Sequence, residues 1–194
     1  MAPSDRAAFL GRLRQLFAEM DAAYASAAAA AGFDCRGCEE SCCRSVFHHH
    51  TFIEALLLRE GLRSLTPGGR EEVLSAARAV ADAQAASAGG SAALRPMCPL
   101  NLAGRCRLYE VRPMICRLHG VAHELHPPGR PVVIGPGCAE YERCRGSARA
   151  GERFDRTPFY TRLAALESEF RTTEGLQRRI KLTVAEMLLA EVLP

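Results

Sequence analysis

The chain has 194 residues, enough for one domain with its own hydrophobic core, so we expect a single domain over 1–194. Its 25 basic and 22 acidic residues show no block of like charge, which gives no support for nucleic-acid binding. No apolar run approaches the roughly 20 residues that span a bilayer, and charges interrupt the small-residue stretch near the N-terminus. We therefore expect a soluble cytoplasmic protein with no membrane segment or secretory peptide, whose thiols stay reduced.

The N-terminal half is predicted to contain three helices. The first is a long amphipathic helix over 4–31, in which apolar residues recur at three- and four-residue steps before Gly32 stops it. The second begins at "TFIE", which matches a capping box with Thr51 as the N-cap. The third opens at Pro67 and ends near Gly89. These helices predict a mainly α fold.

The central segment over 96–145 differs from both ends of the chain. It is rich in cysteine and proline and has no long helical period. Within it, "RLHGVAHEL" and "RPVVIG" flank "HPPG" and can pair as one small β-hairpin, which Pro131 restricts to the edge of a sheet. We expect an irregular metal-binding core over 35–145, held between helices.

Two further helices are predicted in the C-terminal segment over 157–193. Thr157 and Pro158 form an N-cap and first-turn pair for the first of them. The second is predicted from Thr172 or Thr173 onward, because one apolar stripe continues at helical spacing. The stripe consists of Leu176, Ile180, Val184, Met187 and Leu188.

Cysteine is the most unusual feature of the composition. The chain has nine cysteines, and an odd number cannot pair completely within one chain. Four lie in "CRGCEESCC", where the CxxC spacing of Cys35 and Cys38 lets two thiolates face one ion. A second cluster lies between Cys98 and Cys138. Two clusters of reduced thiols separated by a helical segment predict a metal site.

The adjacent cysteines Cys42 and Cys43 raise a separate question. Neighbouring side chains diverge by about 180° in a strand and about 100° in a helix, so joint ligation of one tetrahedral ion is awkward. Either the two face different metal centres, or one ligates while the other packs as a small buried hydrophobe.

The array resembles that of the bacterial YkgJ-like family, also called CxxCxxCC, which is described as zinc- or iron-chelating. The resemblance rests on "CRGCEESCC" followed by "CPLNLAGRCRLYEVRPMICR", and on a later cysteine in "GPGCAEY". The ligands that it implies are Cys35, Cys38, Cys42, Cys43, Cys98, Cys106 and Cys116, with Cys138 as the eighth. Cys144 is left outside this set.

The metal is expected to be an iron–sulfur cluster or zinc. Both accept four thiolates, and the cysteine spacing does not separate them. Cys98 precedes Pro99, a pairing that occurs among iron–sulfur ligand motifs. The resemblance favours iron–sulfur, because a flagellin lysine methylase with a similar cysteine array is associated with such a cluster.

Two arginines are candidate cofactor-binding residues. Arg112 and Arg117 flank one of the cysteines, and their guanidinium groups would offset thiolate charge. The alternative is that they pair with carboxylates such as Glu110.

The six histidines form two short groups. We interpret 48–50 as a partly exposed polar turn before a helix cap rather than as ligands. His119, His123 and His126 are expected to be hairpin or surface residues, because Gly120 and the following prolines disfavour a regular helix.

These residues predict a metal-binding cysteine-cluster protein with a structural or accessory role, without a demonstrable catalytic site. The alternatives are an iron–sulfur-dependent enzyme, an accessory of a protein-modifying enzyme, or a thiol-based metal carrier or redox sensor. No glycine-rich turn resembles a methyl-donor site. The expected partner is a metal ion or cluster, and a protein partner is left open.

Overall fold

The computed structural model describes residues 3–35, 42–87, 95–145 and 153–190. Most of them are helical, which confirms the predicted mainly α fold. The α-helices are α1 (Pro3–Ala30), α2 (Phe52–Ser64), α3 (Pro67–Ser87), α4 (Met114–Leu118), α5 (Ala139–Arg145), α6 (Thr157–Glu174) and α7 (Val184–Leu189). The strands are β1 (Asn101–Leu102), β2 (Arg105–Cys106), β3 (His123–Leu125), β4 (Val133–Gly135) and β5 (Phe154–Asp155). Short 3₁₀ helices occupy Cys42–Arg44 and Tyr109–Val111.

The long N-terminal helix α1 matches its prediction over 4–31 to within one residue at each end. Leu13 and Phe17 are buried on one face, as the helical spacing of apolar residues requires. The helix stops at Gly32, whose φ of 64° lies in the left-handed region. The N–H of Phe33 then bonds back into the last turn over 2.8 Å.

The chain divides into two compact units. Unit 1 contains Met1–Cys42 and Met114–Phe170, and unit 2 contains Cys43–Pro113 and Arg171–Pro194. The division therefore passes between the two adjacent cysteines. The single domain expected over 1–194 stays a prediction.

Unit 1 is built around α1, which packs against α4. Phe9 of α1 and Phe170 of α6 meet edge to face, with ring centroids 5.4 Å apart. A buried cluster lies at the other end of α1 and has Cys138 packed against it. It consists of Ala28, Phe33, Val121, Ala122 and Tyr141. This apolar cluster positions the cysteine between the small sheet and α5.

The sheet of unit 1 has three strands in the order β4-β3-β5. β3 and β4 form the antiparallel hairpin that was predicted, with His123 opposite Gly135. The strand that follows Pro131 lies at the edge of the sheet, also as expected. The parallel pairing of β3 with β5 was not predicted, because a two-residue strand carries no alternation to detect.

Unit 2 brings α7 against both α2 and α3, so a short helix late in the chain covers two long ones. β1 and β2 form a tight hairpin that the sequence did not predict. Ala103 and Gly104, at its turn, have φ values of 50° and 83°. The side-chain carbonyl oxygen of Asn101 accepts a bond from the Gly104 N–H over 3.1 Å, which stabilises this turn.

The predicted helix caps are only partly correct. α2 begins directly after Thr51, but the Thr51 side chain makes no bond to the helix backbone. Its hydroxyl instead donates to the Glu54 carboxylate, so the capping box expected there does not form. α3 begins at Pro67 as predicted, and Gly89 lies outside the described residues.

The prediction of a helix from Thr172 onward is wrong over most of its length. α6 continues through Glu174 and stops at Gly175, which has a φ of 68°. Helix resumes only at α7, where Thr183 and Glu186 form a true capping box. The apolar stripe gave a wrong prediction because apolar residues on either side of a break in the helix can keep helical spacing and so resemble one continuous face.

Candidate functional site

The eight candidate ligands are shared between the two units. Unit 1 carries Cys35, Cys38, Cys42, Cys116 and Cys138, and unit 2 carries Cys43, Cys98 and Cys106. Cys38 lies outside the described residues. The adjacent cysteines thus belong to different units, although only one peptide bond separates them.

The unit 2 cysteines are gathered by backbone hydrogen bonds, and we call Cys43, Cys98 and Cys106 the Cys98 group. The N–H of Cys98 donates to the carbonyl of Cys43 over 2.8 Å. A turn closes as the N–H of Asn101 donates to the Cys98 carbonyl over 2.9 Å. Asn101 in turn lies opposite Cys106 in the β1–β2 hairpin. All three cysteines are half-buried.

Two opposing effects act on the pKa of the Cys98 thiol. The pKa of the Cys98 thiol is raised to about 12, chiefly by burial and to a smaller extent by the nearby Cys43 and Cys106. The backbone amides of Leu100 and Asn101 act in the opposite direction and lower this pKa, since they favour the thiolate. Burial is the larger effect, so the free Cys98 thiol is neutral at pH 7.

Three cysteines of unit 1 influence the half-buried phenol of Tyr24 electrostatically, and we call Cys35, Cys42 and Cys138 the Tyr24 group. Burial raises the pKa of Tyr24 above its ordinary value, and the charges of these three thiols raise it further. Cys35 and Cys42 are exposed, whereas Cys138 is half-buried. The phenol of Tyr24 therefore stays neutral at pH 7.

Cys138 is held by its own backbone. Its N–H donates to the carbonyl of Gly120 over 2.7 Å. Its sulfur accepts the N–H of Tyr141, with an N···S distance of 3.4 Å. Gly120 is required here, because a Cβ at this position would lie 2.1 Å from the Tyr24 hydroxyl oxygen and φ is 132°.

Two cysteines stand apart from these groups. Cys116 is half-buried in α4, and its role as a ligand stays a prediction. Cys144 is exposed in α5, where its thiol donates to the Glu140 carboxylate over 3.5 Å. This contact gives Cys144 a local partner one helical turn away, and its exclusion from the site stays a prediction.

The two candidate arginines occupy different surroundings. Arg117 is buried, forms an ion pair with Asp21 and lies 4.1 Å from the centroid of the Phe17 ring. Arg112 lies over the Tyr109 ring at 3.6 Å and donates to the Tyr109 carbonyl. Arg117 therefore pairs with a carboxylate, that of Asp21. A role in cofactor binding stays a prediction for both arginines.

The histidines depart from their prediction at one position. His49 is buried with 2 % of its surface exposed, whereas its neighbours on both sides are exposed. Neither ring nitrogen of His49 has a hydrogen-bond partner among the described residues. Burial lowers its pKa to about 4, and the adjacent His48 and His50 contribute. His49 is thus a neutral core residue rather than part of a polar turn.

The three histidines of the second group lie in or near the β3–β4 hairpin, as predicted. His119 and His123 are half-buried, and His126 is exposed and pairs with Glu124 over 3.0 Å. Sequence reasoning missed one charged residue in this region. Arg156 is buried between β5 and α6 and donates to the carbonyl of Leu118. A lone arginine between two elements carries no pattern from which its burial could be predicted.

The candidate ligands are chemically suited to a thiolate-bound metal, since all of them are cysteines and the Cys138 sulfur accepts a backbone N–H. Over the four described ranges, no three His, Cys, Asp or Glu side chains are arranged to hold one ion. Comparison with models of protein families, with curated proteins and with solved structures finds no match. The resemblance to the YkgJ-like family stays a prediction from cysteine spacing. No helix in the described part of the chain is long and apolar enough to cross a membrane.

Proposed function

We propose that this chain binds metal through cysteine thiolates, as an iron–sulfur cluster or as zinc, in a structural or accessory role. The observation that carries the proposal is that the backbone N–H of Tyr141 donates to the sulfur of Cys138, with an N···S distance of 3.4 Å. Such bonds stabilise the thiolate, which is the form that ligates metal.

The division of the cysteines between the units supports two separate centres. In unit 2 the Cys43 carbonyl and the β1–β2 hairpin hold Cys98 and Cys106 in place. In unit 1 the charges of three cysteines raise the pKa of one phenol, that of Tyr24. We therefore assign Cys42 and Cys43 to different centres, which avoids the demand that adjacent, diverging side chains bind one ion.

The role that follows for the protein's own residues is to bring thiols from distant segments together. A bound metal would supply a cross-link between those segments. Binding of a structural zinc ion contributes about 10 kcal/mol to folding, and an irregular segment such as the centre of this chain depends most on such a contribution. We propose a cytoplasmic location, because that compartment keeps thiols reduced.

Metal content and visible absorption of anaerobically purified protein test the proposal. Iron and sulfide with a brown colour would identify an iron–sulfur cluster, and colourless protein with stoichiometric zinc would identify zinc. We expect Cys98→Ser and Cys138→Ser each to lower the metal content by about one centre. Cys144→Ser is the matched control and should retain all of the metal, because this exposed thiol lies outside both groups.

Three results would contradict the proposal or part of it. Wild-type protein without stoichiometric metal would contradict the proposal as a whole. Equal metal content in wild type and Cys98→Ser would remove Cys98 from the ligand set. Complete loss of all metal in either variant alone would show that the centres are not separate.

A second function, a thiol-based metal carrier, is favoured by the exposure of Cys35 and Cys42. Exposed thiolates exchange ligands with an incoming acceptor more readily than buried ones. Transfer of metal to a competing chelator should then be fast from the Tyr24 group and slow from the half-buried Cys98 group. Equal, slow release from both groups would argue for a purely structural role.

A further inference from the structure

Strand β4 forms one edge of the three-stranded sheet of unit 1, and its apolar side chains are exposed. Val132, Val133 and Ile134 have 46 %, 52 % and 58 % of their surface exposed. Successive side chains of a strand point to opposite faces, so β4 is open on both of its faces as well as along its edge. An uncharged, apolar edge of this kind is a template on which a further strand can pair.

The hydrogen bonds of the sheet show which backbone groups of β4 face outward. The N–H of Arg156 donates to the carbonyl of Glu124 over 3.0 Å, so the backbone of Glu124 faces β5. Opposite residues of an antiparallel pair alternate between bonded and non-bonded, and Glu124 lies opposite Ile134. That pair is therefore the non-bonded one, and the N–H and carbonyl of Ile134 point away from β3. Ile134 makes no hydrogen bond to any other part of the described chain.

The outward edge of β4 is complementary to itself. By the same alternation, the N–H and carbonyl of Val132 also face outward. If a second copy of β4 lies antiparallel along this edge, with Val132 opposite Ile134, each such pair exchanges both of its N–H···O bonds. Val133 then faces Val133 of the second copy on one side of the joined sheet, and Val132 faces Ile134 on the other. Apolar cross-strand pairs of this kind stabilise a sheet.

The charges at the two ends of β4 favour a second copy of this chain over another strand. Residues 131–137 carry no charge. Arg130 is exposed before this stretch, and the exposed Glu142 lies at its other end, where its carboxylate accepts the N–H of Gly137 over 2.9 Å. Neither side chain forms an ion pair with a residue of the described ranges. In the antiparallel arrangement, Arg130 lies opposite Pro136 of the second copy and thus beside the Glu142 carboxylate, and the contact repeats at the other end.

We propose that β4 is a self-association edge, through which two copies of the chain form a two-fold dimer with one continuous sheet. Pro131 and Pro136 lack an N–H, so the pairing is confined to the short stretch between them. A two-fold pairing uses the same edge of both copies and closes at two. Interfaces below about 1,200 Å² are typical of transient complexes, so an edge this short predicts a reversible dimer. The inference is independent of metal binding.

Sedimentation velocity of the reduced chain over a range of protein concentrations tests the inference. We expect monomer at low concentration and dimer at high concentration, with reductant present so that exposed thiols do not cross-link the copies. Val133→Lys should weaken the association by about 10-fold or more, because it places like charges directly opposite each other. Val46→Lys is the matched control, since this valine of unit 2 is 42 % exposed and lies outside the sheet.

A charge exchange tests the arrangement of the two copies. Arg130→Glu would place two carboxylates together and Glu142→Lys two cations, so each variant alone should associate less than wild type. An equimolar mixture of the two should associate again, because both ends then join unlike charges. Amide hydrogen exchange gives a local readout, in which the N–H of Ile134 should exchange more slowly as the protein concentration rises.

Three outcomes would overturn the inference. The first is wild-type protein that stays monomeric at every concentration, and slow exchange of the Ile134 N–H in that monomer would show that another segment of the same chain covers the edge. The second is a dimer that Val133→Lys leaves unchanged, since it would form elsewhere. The third is a mixture of the two charge variants that associates no better than either alone. Circular dichroism checks the fold of each variant, and the mixture decides the question if Val133→Lys does not fold.

Discussion

Replacing His49 with leucine should make the protein less sensitive to acid. His49 is almost completely buried, and neither of its ring nitrogens has a partner in the described part of the chain. Its pKa in the folded state is about 4, against 6.5 in the unfolded chain. The unfolded chain therefore binds one more proton than the folded chain between these two values, so stability falls as the pH falls through this window.

The size of this effect follows from the two pKa values. A difference of one pKa unit corresponds to 1.36 kcal/mol, so His49 costs about 1 kcal/mol of stability at pH 5.5 and about 3 kcal/mol near pH 4. Above pH 6.5 the contribution from titration disappears. There, His49→Leu should still stabilise by about 1 kcal/mol, because an unsatisfied buried polar group is replaced by an apolar one of similar size.

Urea unfolding followed by circular dichroism at pH 7.5, 5.5 and 4.5 measures the effect. The stability difference between His49→Leu and wild type should widen as the pH falls, whereas other titrating groups cancel in the difference. His48→Leu is the matched control, because this neighbour is exposed. A difference that stays constant with pH would refute the reasoning, since it would mean that the buried imidazole becomes protonated without cost.

Two further substitutions test the backbone of each unit. Gly120→Ala should destabilise unit 1 by about 2 kcal/mol, because the new Cβ would clash with the Tyr24 hydroxyl at a backbone position with positive φ. Thermal melting measures this loss of stability. Gly129→Ala is the control for backbone strain alone, since Gly129 also has a positive φ but no atom lies near its Cβ position. Thr183→Ala should cost about 1 kcal/mol through loss of the capping box of α7, measured by urea unfolding, while Thr183→Ser should retain most of the stability. Equal melting of the two glycine variants, or an unchanged midpoint in Thr183→Ala, would contradict these assignments.

The helices could be predicted where the information is local. The spacing of apolar residues defines one face of α1, and Gly32 ends that helix whatever it packs against. The same local reasoning failed after Thr172, because the spacing of apolar residues does not show where a helix is interrupted. The string "TVAE" from Thr183 does carry a capping-box signal, and it marks where α7 begins.

The candidate site could be predicted in its chemistry but not in its arrangement. The spacing of the cysteines predicts thiolate donors, because CxxC geometry is a property of a few consecutive residues. The burial of His49 and of Arg156 could not be predicted, since burial depends on which distant segments cover a residue. His49, for example, pairs by its backbone with Leu182, more than a hundred residues away.

By itself the sequence determined the helical character of the chain, the hairpin around "HPPG" and the supply of clustered thiols, because each depends on local spacing and turn chemistry. Only the tertiary structure decided which cysteine-bearing segments share a unit or a backbone hydrogen bond. Cys43 joins Cys98 through a backbone hydrogen bond, while Cys42 belongs to the unit of Cys138. Two residues joined by one peptide bond are separated in this way because long-range packing, which sequence spacing does not encode, sets the surroundings of each side chain.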